Sequence, residues 1–439
     1  MPRKAVVLFL TIAVVGTIVV TYYNGLPARQ ILHLFDSSVV ENFDYSESKT
    51  VSFHGGKHEK GHNADVDVSV TNRTTQEPYQ KWVPKALTHS PTALVLKRKG
   101  ISMEEFRKTR YLRFNQTAPP WFSRADVERL IFLATANISH VLPHPHASLN
   151  PIVFDDNSDK TPQISDTEQC ESQCGLLKSA LDIYEVLSFH LDRVLGLNRT
   201  LPAIARKFSG LSQLGYRFRD GKARPLIWWD PDIAHGGKFQ NDQNSLELSW
   251  LNYTTVLKNR CWADGTTPDP EQFCTPIKHI EWSKLAMFDF LLQVFDRLDR
   301  NCCGFNETLE TEEEACFTDG RHLECKTPDV LMLVHMLTRN SDRSRLVYID
   351  NAGRPFRSRK NLDWRLLQGI DQFPEGPIAL LRDPARLRRS LLQSLYIDRT
   401  FWKSVGTKTA LEVVQNVVNR GQLLVKYIDK YNIAVVPDY

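Results

Sequence analysis

Hydrophobic positions recur with a helical period along residues 281–295, which is the clearest pattern in the chain. One face of this stretch carries the apolar side chains Trp282, Leu285, Phe288, Leu292 and Phe295. Their spacing predicts an amphipathic helix that ends just before Asp296. A second apolar run, 346–349, has the length of a buried strand, and the Asn-Ala-Gly sequence at 351–353 is typical of a turn. Asp296 and Asp350 are therefore each expected on a loop that leaves a buried element.

The same reasoning predicts most of the other elements. Ser123 is a candidate N-cap for a helix over 125–133, and the apolar runs 151–154 and 225–228 are typical of strands. A helix that stops at Gly196 is predicted from one face formed by Leu181, Tyr184, Ser188, Leu191 and Leu195. Further stretches with helical spacing predict a mostly helical second half: 330–337, 377–381, 387–395 and 410–431.

Residues 1–118 predict a membrane anchor and a spacer. Residues 5–23 are uncharged and mostly apolar, and they are long enough to cross a hydrocarbon core that needs about 20 residues. Arg3 and Lys4 precede this run, so residues 1–4 are expected in the cytoplasm and the rest in the lumen. A cleaved signal peptide is the alternative, but its apolar part would be shorter. Residues 24–118 lack periodicity and are interpreted as a largely disordered lumenal stem.

Cysteines and glycosylation sequons agree with a lumenal location. The eight cysteines are Cys170, Cys174, Cys261, Cys274, Cys302, Cys303, Cys316 and Cys325. Their even number and the absence of C-x-x-C pairs predict disulfides rather than a zinc site, with a cysteine-rich insert at 302–325. Asn-x-Ser/Thr sequons predict surface glycans at Asn72, Asn115, Asn137, Asn198, Asn252 and Asn306. The net charge of +4 does not indicate nucleic-acid binding.

Three polar residues have the order that phosphoryl transfer requires. Asp296 could accept the proton of a hydroxyl, while Asn301 and Asp350 could hold magnesium on nucleotide phosphates. Lys178 and Glu185 could supply the phosphate-binding lysine and the helix glutamate that orients it, with Glu185 one turn inside its helix. Each fragment also has a simple structural explanation. Asp296 and its neighbour Arg297 could form a surface ion pair, and Lys178 and Glu185 could lie on a solvated helix face.

The order of several longer motifs resembles the secretory-pathway kinase superfamily that includes four-jointed and the Golgi casein kinase. These motifs are Tyr-Glu-Val-Leu-Ser-Phe-His-Leu-Asp-Arg at 184–193, Phe-Asp-Phe-Leu-Leu-Gln-Val-Phe-Asp-Arg at 288–297 and Ile-Asp-Asn-Ala-Gly at 349–353. Other motifs resemble more narrowly the Golgi-associated kinase 1 family, types A and B. They are Cys-Gly-Leu-Leu-Lys at 174–178, Leu-Gly-Leu-Asn-Arg-Thr-Leu-Pro at 195–202, Glu-Trp-Ser-Lys at 281–284 and Arg-Asn-Cys-Cys-Gly-Phe at 300–305.

This resemblance implies an α+β, atypical bilobal protein-kinase-like fold over 119–439, with a small mixed N-lobe, a mostly helical C-lobe and disulfide bonds. It implies ATP with Mg²⁺ or Mn²⁺ as cofactor. By the resemblance Asp296 would be the catalytic aspartate, Lys178 and Glu185 would bind the nucleotide, and Asn301 and Asp350 would bind the metal. The lysine could also be Lys160, because Lys178 lies closer to the helix glutamate than is usual in this superfamily.

Three functions stay open at this point. The first is a single-pass type II Golgi membrane kinase that phosphorylates secreted proteins or glycans, with a surface or secreted pool also expected. The second is a catalytically inactive pseudokinase that binds or regulates a lumenal partner, which fits the absence of a Gly-rich loop before Lys178. The third is a Golgi glycosyltransferase that would hold its metal at Asp230-Pro-Asp232, a motif also common in turns.

Overall fold

A computed structural model of the protein describes residues 94–95, 111–114, 117–141, 149–154, 173–208, 220–234, 244–263, 265, 267–299 and 327–438. All of them belong to the unit that spans residues 76–439. The predicted anchor at 5–23, most of the predicted stem and the insert at 302–325 lie outside the described residues. Within the described ranges, no helix combines the length and the apolar character needed to cross a membrane.

An antiparallel sheet dominates the first half of the described chain. The strands of this half are β1 (Leu94–Val95), β2 (Thr117–Ala118), β3 (Ile138–Val141), β4 (Leu149–Phe154), β5 (Cys174–Lys178), β6 (Ala203–Lys207) and β7 (Ala223–Trp228). β1 pairs with β2, and the other five form a sheet in the order β3-β4-β5-β7-β6. Every residue of the central strand β5 is buried. The predicted strands at 151–154 and 225–228 are confirmed.

The second half is mostly helical, as the sequence predicts. Among the described residues, two helices belong to the sheet half and six follow it: α1 (Arg124–Thr135), α2 (Glu185–Val194), α3 (Trp250–Asn259), α4 (His279–Leu292), α5 (Glu375–Leu381), α6 (Pro384–Ile397), α7 (Arg399–Val405) and α8 (Thr407–Tyr431). Two short strand pairs lie among them: β8 (Met336–Leu337) with β9 (Val347–Tyr348), and β10 (Gln372–Pro374) with β11 (Ala434–Val436).

Local sequence signals explain where α1 and α2 begin and end. Ser123 caps α1, since its Oγ accepts from the backbone N–H of Asp126 at 3.0 Å while its own N–H donates to the Asp126 carboxylate at 3.0 Å. α2 ends before Gly196, which has a φ of 74° and so takes the left-handed conformation that glycine tolerates best. The predicted cap and the predicted stop are both confirmed.

Two hydrophobic cores give the structure its two lobes. One core lies between the sheet and α1 and contains Leu177 and Leu130. The other surrounds α4 and contains Phe288. α2 contributes to both, because its Phe189 belongs to the first core and its Leu187 to the second. This helix therefore joins the lobes, and its first residue lies at the boundary between them.

α4 is more deeply buried than the sequence predicts. A period of apolar residues indicates one buried face, yet charged residues on the other faces, among them Glu281 and Asp289, are also buried. They are neutralised inside the protein. Arg199 donates to Glu281 Oε1 at 2.6 Å, and Arg297 donates to Asp289 Oδ2 at 2.9 Å. The expectation of an amphipathic helix at this position is therefore wrong, because buried ion pairs replace the solvated face.

α4 also ends earlier than predicted, at Leu292 rather than just before Asp296. Gln293 takes a left-handed conformation with a φ of 60° and donates its N–H to the Asp289 carbonyl. This C-cap terminates the helix, so Asp296 lies on the loop beyond it.

Two other expectations are wrong for related reasons. Residues 330–337 are not a helix, because they pass from a 3₁₀ turn at Pro328–Val330 into β8, and Leu333 donates its N–H to the Leu248 carbonyl at 2.9 Å. An apolar run buried on all sides has no period that separates a strand from a helix. Leu181 is 87% exposed, because it lies in the 3₁₀ turn Ala180–Asp182 rather than in α2.

The cysteines in the described residues are all oxidised. Cys261 and Cys274 form a disulfide after α3, and Cys174 in β5 is also disulfide-bonded. Together with the sheet lobe and the helical lobe, this confirms the predicted α+β, disulfide-bonded architecture of a small mixed lobe and a mostly helical lobe.

Candidate active site

Lys178 is the last residue of β5 and lies where the two lobes meet. Its Nζ is 2.7 Å from Glu185 Oε1 and also contacts Asp350 Oδ1. Only 1% of its side chain is exposed. A sequence separation of seven suffices for this contact, because the chain leaves the strand, makes one 3₁₀ turn capped by Ser179, and enters α2 at Glu185. The short separation, which left Lys160 as an alternative, is thus compatible with direct contact. Lys160 lies outside the described residues.

Glu185 connects the sheet to the loop that carries Asp350. It is the first residue of α2, not one turn inside the helix as predicted. Besides binding Lys178, its Oε1 accepts the backbone N–H of Asn351 at 2.7 Å. Burial raises the pKa of Glu185, and the positive charge of Lys178 opposes that rise. Burial alone would lower the pKa of Lys178, but Glu185 and Asp350 outweigh it and raise this pKa, so the ammonium stays charged.

Asp350 occupies the turn after β9 and remains partly accessible. Its backbone has a φ of 55°, a left-handed conformation that aspartate tolerates better than most residues. Its side chain is 26% exposed, with Oδ2 lying 3.4 Å from His335 Nε2. Burial would raise the pKa of Asp350, but the charge of Lys178, with a further contribution from His335, lowers it overall. Asp350 is therefore a carboxylate that an incoming cation can reach.

Asp296 lies on the loop after α4, where the charges of Asp350 and Lys178 also act on it. Asp296 is partly buried, and burial raises the pKa of its carboxyl group. The negative charge of Asp350 raises this pKa further, while Arg297 and Lys178 oppose the rise. A carboxylate whose pKa is raised towards neutrality is more basic than a free aspartate and is better suited to accept a hydroxyl proton.

Arg297 is the site residue that sequence reasoning missed. It was considered only as half of a surface ion pair, but it is completely buried. Its guanidinium donates to the carbonyls of His335 at 2.7 Å and Ile349 at 3.0 Å, and to Asn351 Oδ1 at 2.8 Å. It thus ties the loop that carries Asp296 to the loop that carries Asp350. Nothing local in the sequence distinguishes such an arginine from an exposed one.

Gly353 and Ser188 complete the support of the Asp350 loop. Gly353 has a φ of 57°, and a Cβ at this position would lie 2.4 Å from the Leu292 carbonyl oxygen. Ser188 of α2 donates its hydroxyl to the Asn351 carbonyl at 2.6 Å. The loop is therefore held against α2 on one side and against the end of α4 on the other.

The residues around Asp350 fit a magnesium or manganese ion bound to nucleotide phosphates. Asp350 is ionised and partly exposed. Burial raises the pKa of Asp182 and of Asp296, and the negative charge of Asp350 adds to both rises, so these two carboxyl groups lie within its electrostatic reach. Carboxylate oxygens suit both metals, which also take phosphate and water ligands. In the described part of the chain, no group of three or more His, Cys, Asp or Glu side chains could hold a metal by itself. Phosphates would have to complete the coordination.

Of the remaining predicted site residues, only three glycosylation asparagines lie in the described part of the chain. Asn301, Asn72, Asn115 and Asn306 lie outside the described residues. Asn137 and Asn198 are exposed, and Asn252 is half-buried at the start of α3.

The Asp230-Pro-Asp232 motif forms a turn whose carboxylates already have partners. Asp230 accepts from Arg339 at 3.1 Å and from the backbone N–H of Asp232 at 3.1 Å. Asp232 accepts from the backbone N–H of Ser341 at 3.2 Å and also from its hydroxyl. These contacts support the interpretation of the motif as a turn.

Three solved structures resemble this chain at low sequence identity. The Golgi casein kinase has a TM-score of 0.41 and 12% identity, covering 72% of this chain and 80% of its own. The hydra Fam20 structure with sugar has a TM-score of 0.41 and 13% identity, covering 77% and 98%. The Golgi casein kinase with Mn/ADP bound has a TM-score of 0.40 and 11% identity, covering 72% and 82%.

The sequence comparison identifies the family directly. Residues 110–439, which include both hydrophobic cores and the positions of Lys178, Glu185, Asp296, Asn301 and Asp350, match the family model of the FAM198 protein. This chain therefore belongs to the FAM198 protein family.

Proposed function

We propose that this protein is a secretory-pathway kinase of the Golgi-associated kinase 1 type. It binds ATP with Mg²⁺ or Mn²⁺ between its lobes and transfers the terminal phosphoryl group to a hydroxyl of a secreted protein or glycan. The observation that carries this proposal is the meeting of Lys178, from the sheet, with Glu185 from α2 and Asp350 from the loop after β9. A strand, a helix and a loop thus converge on one buried ammonium.

Each residue has a role that follows from its contacts. The Lys178 ammonium lies where it can neutralise nucleotide phosphates, and Glu185 holds it there through the 2.7 Å bond. Asp350, ionised and partly exposed, would hold the metal, with Asn301 as a second ligand. The metal, when bound, neutralises the negative charge that develops on the phosphates. Asp296 would accept the proton of the attacking hydroxyl, because burial and the nearby Asp350 raise its pKa.

The compartment belongs to the same proposal. The uncharged run at 5–23 predicts a type II signal anchor, and the sequons predict a lumenal domain. The Cys261–Cys274 disulfide supports an oxidising environment such as the Golgi lumen.

One observation favours a second candidate, a nucleotide-binding or partner-binding pseudokinase. The Lys178 ammonium bonds both Glu185 and Asp350, so the lysine must release Asp350 before that carboxylate can hold a metal with its full charge. The sequence also lacks a Gly-rich loop before Lys178. The glycosyltransferase alternative receives no such support, because the Asp230 and Asp232 carboxylates are already bonded within their turn.

Binding and transfer can be tested separately on the full-length protein. Thermal unfolding with ATP and Mg²⁺ or Mn²⁺ measures binding, and a ligand at about 100 times its Kd should stabilise the fold by about 2.7 kcal/mol. Asp350→Ala should abolish this metal-dependent shift. Asp296→Asn should keep the shift but lose transfer from radiolabelled ATP to secreted acceptors. Asp230→Asn, which removes a carboxylate outside the cluster, is the control and should preserve both.

The possible outcomes separate the three functions. A shift without transfer in the wild type supports the pseudokinase. The absence of any shift with any metal in a folded protein refutes nucleotide binding at this site. A transfer of sugar from a nucleotide sugar that is lost only in Asp230→Asn supports the glycosyltransferase.

A further inference from the structure

A cavity of about 250 Å³ is lined in part by the segment that follows the Asp350 loop. It opens between residues 357–362 and α8. Its lining residues are Arg357, Arg359, Leu362, Asn416, Asn419, Arg420, Gln422, Leu423 and Lys426. Four of these are cationic, three are amides and none is acidic. We call this space the basic cavity.

Two of its cations have no counter-charge in the described part of the chain. Arg359 and Lys426 are exposed, and neither makes an ion pair or a side-chain hydrogen bond to another described residue. A carboxylate that lies one turn away on α8, Asp429, is held by Arg382 at 2.6 Å. The two positive charges therefore face one opening without internal neutralisation, an arrangement that attracts anions.

The floor of the basic cavity is rigid. Arg420 is 2% exposed, and its guanidinium donates to the carbonyls of Leu291 at 2.9 Å, Arg354 at 2.9 Å and Arg357 at 3.0 Å. Asn416 donates to the Pro355 carbonyl at 3.1 Å. These bonds satisfy backbone carbonyls and hold the Arg420 guanidinium in place beneath the cavity.

An amide adds a hydrogen-bond donor to these charges. Gln415 donates to Asn419 Oδ1 at 3.0 Å, which fixes the orientation of the Asn419 amide. The NH₂ group of Asn419 can then donate to a ligand. Cations and a fixed amide donor around a space of this size match a small oxyanion with several acceptor oxygens.

We propose that the basic cavity binds a tetrahedral oxyanion, phosphate or sulfate, either as the free ion or as a monoester. Arg359 and Lys426 close over the anion from opposite walls, above the floor formed by Arg420. This site is separate from the Lys178 cluster, since Lys178, Glu185 and Asp350 do not line the cavity. The anion joins residues 357–362 to α8, so its binding should stabilise the folded protein.

The test compares two charge-removing variants of the full-length protein. Arg359→Gln with Lys426→Gln removes the two unpaired cations of the cavity. Arg386→Gln with Lys403→Gln removes one arginine and one lysine from other exposed positions and is the matched control. Titration calorimetry and thermal unfolding are followed with inorganic phosphate, inorganic sulfate and a sulfated disaccharide, at constant ionic strength set with sodium chloride.

The wild type and the control should show saturable binding and a saturable rise in Tm. The Arg359→Gln, Lys426→Gln variant should need at least about tenfold more anion for half-saturation, because it loses charge-assisted hydrogen bonds. Tighter binding of the disaccharide than of inorganic sulfate identifies an ester as the ligand, and equal binding identifies the free ion.

Two results would overturn the proposal. The first is a non-saturable rise in Tm that is equal in all three proteins, which is the general salting effect of these anions on protein stability. The second is saturable binding that is unchanged in the Arg359→Gln, Lys426→Gln variant, which places the anion elsewhere, for example at Lys178.

Discussion

Replacement of Gly353 by alanine tests whether close packing against α4 holds the Asp350 loop in place. An added Cβ at Gly353 would lie 2.4 Å from the Leu292 carbonyl oxygen, which already accepts the Arg354 N–H at 2.9 Å. Gly196 provides a matched control. It has a similar left-handed backbone, with a φ of 74°, but no atom lies within 4 Å of an added Cβ.

The two substitutions share one cost and differ in another. Each forces alanine into a left-handed conformation at about 1–2 kcal/mol, and each gains about 0.4–1 kcal/mol because alanine restricts the unfolded chain. Gly196→Ala should therefore destabilise by about 0–1.5 kcal/mol. Gly353→Ala must also displace the Leu292 carbonyl, which costs about 1 kcal/mol for the weakened hydrogen bond and about 1–3 kcal/mol for overpacking. Its total is about 2–5 kcal/mol.

Urea unfolding followed by tryptophan fluorescence measures both values on the full-length protein. Gly353→Ala should also weaken any metal-dependent stabilisation by ATP, because Asp350 lies three residues before the displaced position, whereas Gly196→Ala should leave it unchanged. Equal destabilisation by the two substitutions would refute the reasoning, since it would mean that the loop moves away from α4 without cost.

Other contacts give further expectations. Arg297→Lys keeps the positive charge but loses the forked guanidinium that binds two loops. It should therefore destabilise the protein by about 3–5 kcal/mol in urea unfolding, close to the cost of breaking a buried ion pair. A change below about 1 kcal/mol would contradict this role. Burial raises the pKa of Asp398 to about 7, well above its value in the unfolded chain. Its stabilising contribution is therefore full at low pH and is lost as the pH rises through 7, so wild type should lose stability relative to Asp398→Asn over that range. A pH-independent difference between the two proteins would exclude this linkage. The paired substitution Cys261→Ser with Cys274→Ser opens a loop with a sequence separation of 13. Thermal unfolding should then show a free energy of unfolding that is lower by about 2–3 kcal/mol. An unchanged Tm would show that the disulfide constrains neither the folded nor the unfolded protein.

Much of the fold could be predicted because its signals are local. Ser123 caps α1 through bonds to a residue three positions away, and Gly196 ends α2 through its own backbone conformation. The long helix α8 was recognisable because its apolar positions repeat over seven turns. Local signals failed where burial was complete, as for residues 330–337, whose backbone bonds go to distant segments.

The candidate site divides in the same way. Asp296 and Asp350 were recognisable because each follows a buried element in the sequence. Arg297 was not, because its partners, the carbonyls of His335 and Ile349, are distant along the chain.

The sequence by itself determined the cap of α1, the stop of α2, the mostly helical second half and the residue types that could carry phosphoryl-transfer chemistry. Only the tertiary structure decided that Lys178, Glu185 and Asp350 meet, and that Arg359 and Lys426 face one cavity without a counter-charge in the described chain. The reason is physical. Caps and helical periods arise from interactions within a few residues, whereas the burial and the charge partners of a side chain depend on which distant segments pack around it.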